Sequence, residues 1–381
     1  MQRRYILGMA NLFDYFFWRG DLGFEQSPLN PADNVILCQL SYLPLDGIVP
    51  PLTDGDVSGI SIGLAMNILS KNLQSNSPDV KPLLMFKDDP ALIGALGSSK
   101  RFRDLKLFDY VNNIDADHEK QFSAVSVNTG DDSCFVTYRG TDFSFVGWKE
   151  DANMSFQNII PAQLEAVDYL ERIASAVKGP LRIGGHSKGG NLAVYAAAFC
   201  RKKTQKRITE IYSNDAPGFH EHVINSEGFA GIKDKIRSFV PQGSVVGMIF
   251  EHGCDYTVIK SSQTGLLQHD LYSWEMTHNN MVQVDRITTG SRFVDKTLKD
   301  WIGKLDNERR EQFLSVLYGI LSASGVKTIP ELESDWFNAA GRIIKSIGKI
   351  DSSTRQLVHA TLAELFNAAS RNLDTFIKTE K

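Results

Sequence analysis

The stretch Ile183-Gly184-Gly185-His186-Ser187-Lys188-Gly189-Gly190, followed by Asn191-Leu192-Ala193-Val194-Tyr195-Ala196-Ala197-Ala198, constrains this chain more than any other. It contains Gly185-x-Ser187-x-Gly189, the pattern of a nucleophile elbow, in which a serine sits on a sharp turn between a strand and a helix. Strained backbone angles there push the hydroxyl out at the C-terminal edge of a sheet, so the flanking residues must be nearly free of side chain. Gly185 and Gly189 meet that need. A helix packed hard against the sheet then needs a small inner face, and Ala193, Ala196 and Ala197 supply one at helical spacing. The five-residue pattern alone is weak, because a Gly-rich turn with an incidental serine is common in loops. Its surroundings make it informative: the short apolar segment Leu181 to Gly184 precedes it and the alanine-rich helix follows it.

The periodicity on either side supplies the rest of the layout. Up to about residue 115 it is helical, with apolar stripes over Asn34 to Leu43 and Ser58 to Leu73 separated by loops such as Pro50-Pro51-Leu52-Thr53-Asp54-Gly55. From Gln121 the period changes. Phe122 to Asn128 alternates as a strand, Asp131-Asp132 makes a turn, and Cys134 to Tyr138 is a second strand ending at Arg139-Gly140-Thr141. A helix over Pro161 to Val177, the elbow strand and helix, and strands at Ile208 to Ser213, Ile236 to Pro241 and Thr257 to Ile259 follow. Strands alternating with helices predict a mostly parallel sheet covered by helices on both faces, the α/β-hydrolase layout. After about Asp285 the pattern is helical again, over Phe293 to Leu305, Glu308 to Ser324, Pro330 to Ile347 and Ser353 to Leu373. The expected organisation is a helical N-terminal region packed on the core (1–115), an α/β-hydrolase core (116–284) and a helical C-terminal region (285–381).

Composition narrows the function classes. A net charge of -4 over 381 residues gives no basic field to recruit nucleic acid. The four cysteines, Cys38, Cys134, Cys200 and Cys254, are widely spaced without a C-x-x-C pair and read as reduced core thiols. Arg3 and Arg4 precede an apolar stretch, but Asn11, Asp14, Arg19 and Asp21 interrupt it and no small-residue cleavage site follows, so it reads as part of a helix. With no apolar run long enough to span a bilayer, a soluble cytoplasmic protein is expected.

A serine hydroxyl becomes a nucleophile only when a base takes its proton, an acid orients that base and donors receive the oxyanion. In this fold the chain order is serine, acid, histidine. Among His220, His222, His252, His269 and His278, the one placed as base is His269, in the turn-like Gly265-Leu266-Leu267-Gln268-His269-Asp270 just after the last strand. Asp215 follows the strand Ile208 to Ser213 directly and would project beside the elbow. An Asp before a Pro/Gly turn also caps its own backbone, and Asp255 and Glu251 are second choices for the acid. The oxyanion donors expected are the backbone N–H of Lys188 and a group of Thr141, in the loop after an early strand. Arg139 and Asp151 read as an ion pair supporting that loop, and the Lys188 side chain as a surface charge at the mouth of the site. His220-Glu221-His222 lacks the H-E-x-x-H spacing that puts two imidazoles on one helical face, so no metal and no cofactor are expected.

These residues resemble two related groups. Tyr138-Arg139-Gly140-Thr141, Trp148, Asp151 and Gly185 to Ala193 resemble the core of the class-three, fungal-type lipases. The wider set is closer to the Mbeg-like proteins, a bacterial family of lipase-like α/β-hydrolases of unassigned function. Its further matches are Asn11 to Tyr15, Asp33 to Leu37, Leu40-Ser41-Tyr42, Val240-Pro241, Ser244 to Met248, Gln268-His269-Asp270 and Ser273-Trp274. The resemblance implies hydrolysis of carboxylic esters by Ser187, with His269 as base and Thr141 in the oxyanion hole. One departure matters. Where class-three lipases carry the acid this chain has Ser244, whereas Asn214 to Phe219 is similar to the pancreatic-type lipases, whose acid lies after the preceding strand; that favours Asp215. The expected function is cleavage of small-molecule acyl esters or lipids through an acyl-enzyme, with Phe143, Phe145 and Val146 lining an acyl pocket and membrane contact at most peripheral. The alternatives are a thioesterase or peptidase with the same triad, or a non-catalytic scaffold on the same fold.

Overall fold

The first two helices begin where the sequence supplies their caps. Asn11 accepts the Phe13 N–H at 3.0 Å while Asp14 reaches back to the Asn11 N–H at 2.8 Å, opening helix Leu12–Arg19. Asn30 and Asp33 repeat this capping box at helix Pro31–Leu40, where Pro31 at the first turn loses no hydrogen bond. Asp33 is used twice: its fully buried carboxylate also pairs with Arg101 through two bonds of 2.6 and 2.5 Å and accepts the Tyr15 hydroxyl at 2.8 Å. Helices Ile62–Gln74 and Asp89–Ser98 complete this region. The computed structural model describes residues 10–75, 84–115, 117–142, 145–154 and 157–302, with isolated residues beyond 302.

Eight strands form one sheet in chain order: β1 (Ile60–Ser61), β2 (Lys106–Asp115), β3 (Lys120–Asn128), β4 (Cys134–Tyr138), β5 (Leu181–His186), β6 (Ile208–Asn214), β7 (Ile236–Pro241) and β8 (Tyr256–Ile259). β1 with β2 and β3 with β4 are antiparallel, and from β4 to β8 every pairing is parallel. Helices Pro161–Ala176 and Lys188–Phe199 carry the chain from β4 to β5 and from β5 towards β6. A mostly parallel sheet covered by helices, with the strand-turn-helix of Ser187 inside it, is the α/β-hydrolase fold.

β2 lies where helical periodicity was expected. Asp109, Asn112, Asn113 and Asp115 break its apolar alternation, and Asp109 takes a positive φ of 53°. The Asp109 carboxylate is buried against Arg172 at 2.8 Å and its carbonyl accepts the Tyr169 hydroxyl at 2.6 Å, so tertiary bonds support a strand that its composition conceals. Of the expected C-terminal helices, the first is seen as Thr289–Ile302. Those at Glu308 to Ser324, Pro330 to Ile347 and Ser353 to Leu373 lie outside the described residues apart from isolated positions.

The chain divides into two compact bodies. The first comprises 1–112, 122–140 and 163–288, and holds an apolar core in which Leu12, Val35, Leu37 and Leu69 cluster with Phe135, Tyr212 and Phe239 of the sheet. The second comprises 113–121, 141–162 and 289–381. In it, helix Phe145–Asn153 presents the fully buried Glu150, whose carboxylate accepts the N–H groups of Gln121 at 3.1 Å and Ala162 at 3.0 Å.

Candidate active site

Ser187 stands between β5 and helix Lys188–Phe199 with φ 57° and ψ -133°, angles a side chain rarely adopts. Close approach explains the flanking glycines. A Cβ on Gly185 would lie 2.2 Å from the Gly189 backbone, and one on Gly189 would lie 2.1 Å from the Tyr138 carbonyl oxygen. The turn is tied down from both sides: the Ser187 N–H donates to the Asn214 carbonyl at 3.0 Å, and the Asn214 amide donates to the Gly185 carbonyl at 3.0 Å. Beneath it, Asn34 and Asn214 exchange amide hydrogen bonds of 2.9 and 3.2 Å, joining helix Pro31–Leu40 to the end of β6.

Asp215 follows β6 immediately, also at positive φ (45°), with its N–H donating to the Phe239 carbonyl at 2.7 Å. Its carboxylate is 1% exposed and holds three donors. His269 Nδ1 lies 2.7 Å from Oδ2, while Ser244 Oγ at 2.5 Å and the Gly247 N–H at 3.1 Å donate to Oδ1. The serine at the place of the expected carboxylate thus donates to a carboxylate that reaches the same spot from the neighbouring strand. Neither Ser244 nor Gly247 carried a sign of this in the sequence, because the contact spans 29 and 32 residues.

His269 ends the short helical turn Gly265–His269, and its side chain is 27% exposed, in contrast to the buried Asp215 it contacts. Among the described residues no hydrogen bond joins Ser187 Oγ to His269. The residue before the serine does reach it: the His186 ring lies 4.4 Å from the His269 ring, and His186 Nε2 lies 2.8 Å from the His269 carbonyl oxygen. A carbonyl oxygen only accepts, so Nε2 carries the hydrogen. Burial, reinforced by the neighbouring His269, drives the His186 pKa well below the ordinary imidazole value, and the ring is neutral. Its Nδ1 therefore accepts the Tyr42 hydroxyl at 2.8 Å. Neither Tyr42 nor His186 carries a sequence signal for this contact, because no local spacing links two residues 144 apart.

The Lys188 side chain corrects an expectation. It is 1% exposed rather than a surface charge, because every residue of its helix from Lys188 to Ala198 is buried and no face opens to solvent. Its N–H heads that helix, where orphan donors and the macrodipole favour an anion. Gly140, at the end of β4, brings its segment to the elbow, since a Cβ there would lie 3.0 Å from Ser187 Cβ and 2.7 Å from the His186 carbonyl oxygen. Thr141 belongs to the second body, where its hydroxyl donates to Asp151 at 2.5 Å. Arg139 donates to Asn112 at 3.1 Å. Phe143 lies outside the described residues, and of Phe145 and Val146 only the helical backbone is described. Glu251 bridges Phe219 through backbone bonds and is exposed, as is Asp255, and neither replaces Asp215 at His269. Among the described residues no cluster of three or more His, Cys, Asp or Glu suits a metal, and no helix is long and apolar enough to cross a membrane.

Several solved structures are similar in part. A mutant form of MDLA from Penicillium cyclopium is 14% identical, with 68% of this chain and 86% of that one covered at a TM-score of 0.39. The Rhizomucor miehei lipase propeptide complex is 15% identical over 61% and 82% of the two chains, with a TM-score of 0.32. The Lip2 lipase of Yarrowia lipolytica is 12% identical over 56% and 84%, with a TM-score of 0.32. No curated protein matches. The Mbeg1-like family matches over residues 96–319, more than half of the chain and the whole span of β3 to β8 with the elbow, Asp215 and His269; the chain belongs to the Mbeg1-like family.

Proposed function

We propose that this protein is a serine hydrolase that cleaves carboxylic, lipid-like acyl esters through an acyl-enzyme. The observation that carries the reading is the 2.7 Å bond from His269 Nδ1 to the buried Asp215 carboxylate, beside a serine held at strained angles on a strand-to-helix turn. Ser187 Oγ attacks the ester carbonyl while His269 Nε2 takes its proton, and Asp215 holds the Nδ1–H tautomer and stabilises the imidazolium. The oxyanion receives the Lys188 N–H and a second donor from the chain just after β4, where Gly140 meets the elbow. His269 then protonates the departing alkoxide, and the alcohol leaves Ser187 acylated. Water, deprotonated by His269, attacks the acyl-enzyme and releases the acid, returning the proton to Ser187. Catalytic hydrogen bonds are commonly long without substrate, which accounts for an unbonded Ser187 hydroxyl.

A second reading, a non-catalytic scaffold, is favoured by that same unbonded hydroxyl. Turnover of p-nitrophenyl esters of increasing chain length by the native protein and Ser187→Ala separates the two. Hydrolysis that vanishes in the variant and rises with acyl length supports the lipid-ester reading. Faster cleavage of acyl thioesters or peptide anilides would transfer the triad to a thioesterase or peptidase, and no turnover of any of them would support the scaffold.

A further inference from the structure

Two histidines meet at the elbow, and only one can serve as the base. His186 precedes the nucleophile on β5 and is 3% exposed, with both ring nitrogens engaged: Nδ1 accepts from Tyr42 at 2.8 Å and Nε2–H donates to the His269 carbonyl at 2.8 Å. Its ring also touches the ring of His269, with centroids 4.4 Å apart and the planes tilted by 38°. One side chain therefore touches the backbone and the imidazole of the same residue. Asp215 fixes a third point, Nδ1.

The segment carrying His269 needs such support. Leu267, two residues earlier, is 58% exposed, and the segment Gly265–His269 is a single short 3-10 turn rather than a longer helix. Its consecutive carbonyls at Gln268 and His269 are held by two buried rings, the Trp274 indole N–H at 3.0 Å and the His186 imidazole N–H at 2.8 Å. The Tyr42 hydroxyl decides which way His186 can act. Donating to Nδ1, it leaves the only ring proton on Nε2, the atom facing the His269 carbonyl.

We infer that His186, oriented by Tyr42, is a positioning residue that holds the His269 backbone and ring in the attitude its proton transfer requires. The inference rests on the reading of His269 as the base only for its catalytic consequence; the clamp itself is a property of the fold.

The test uses the full-length protein with His186→Phe, which keeps a flat ring and removes both nitrogens, and His186→Gln, which keeps an N–H donor at similar reach. In His186→Phe, amide exchange over residues 265–270 should quicken by about tenfold while β4 to β7 stay protected, and His186→Gln should restore most of the protection. With p-nitrophenyl esters, kcat should fall about 10- to 100-fold in His186→Phe at a KM within about twofold of native, with substantial recovery in His186→Gln. Native exchange and native kcat in His186→Phe would overturn the inference, as would equal damage in the two variants, which would mean lost packing rather than a lost donor. If His186→Phe does not fold, Tyr42→Phe decides: imidazole ¹⁵N shifts should show His186 partly in its Nδ1–H tautomer, and an unchanged Nε2–H tautomer would overturn the role of Tyr42. If the native protein turns over no ester yet the exchange pattern appears, the clamp stands and the hydrolase reading falls.

Discussion

At the scale of single residues, Asp215 shows how a buried carboxylate can reach His269 although the end of the neighbouring strand bears Ser244. Ser244 donates to Asp215 at 2.5 Å and Gly247 adds its N–H, so a fully buried carboxylate is satisfied on the oxygen that His269 leaves free. Removing one donor from a buried charged acceptor costs about 1.5–3 kcal/mol. Ser244→Ala is therefore expected to lose about that much stability in denaturant titration. Asp215→Asn, which preserves the shape but presents the wrong tautomer to His269, should lower kcat by about 10³- to 10⁴-fold. His186 supplies a pH test. Its ring stays neutral in the fold, whereas the unfolded chain binds a proton there below the ordinary imidazole value of 6.5. The unfolded state then holds more protons, so stability falls as pH falls. Below about pH 6, the native protein should lose up to about 1.4 kcal/mol per pH unit relative to His186→Gln, measured by unfolding at matched pH. Ser187, His269 and Asp215 were legible as candidates because a motif, a chain order and a strand end each point to one of them. Ser244, Tyr42 and His186 were not, because each acts through a contact with a residue distant in sequence.

At the scale of elements, the elbow is specified by what its glycines exclude. The Tyr138 carbonyl 2.1 Å from a Gly189 Cβ belongs to the sheet backbone and cannot swing aside. Gly189→Ala should therefore cost at least about 1–3 kcal/mol, the range for overpacked interiors, and lower the melting temperature. β3, β4 and β7 are visible in the sequence because their apolar runs are bounded by turns, and Ile236–Pro241 carries no interrupting charge apart from Arg237. β2 is not, since its strand is sustained by the Asp109 bonds to Arg172 and Tyr169 rather than by its own alternation. The same limit hid the burial of Lys188: the helix pattern indicates a small inner face but not that the outer face is covered too.

At the scale of the whole molecule, the family match begins at residue 96, yet the first body does not. Leu12, Val35, Leu37 and Leu69 share one core with the sheet, Asn34 braces Asn214 beneath the elbow, and Tyr42 reaches His186. A chain starting at residue 96 is expected to be insoluble or molten, seen as lost near-ultraviolet dichroism, because it would leave that core face bare. Helical periodicity revealed the N-terminal helices, but not the individual contacts by which Asn34 and Tyr42 reach the elbow. If Ser187 is an activated nucleophile, it reacts with a fluorophosphonate, and intact-mass and peptide analysis of the product reads that reaction. The native protein should gain one adduct, on Ser187, that is absent in Ser187→Ala and strongly slowed in His269→Ala and Asp215→Asn. A folded native protein that gains no adduct, with or without detergent, or gains it equally in His269→Ala, would contradict the account.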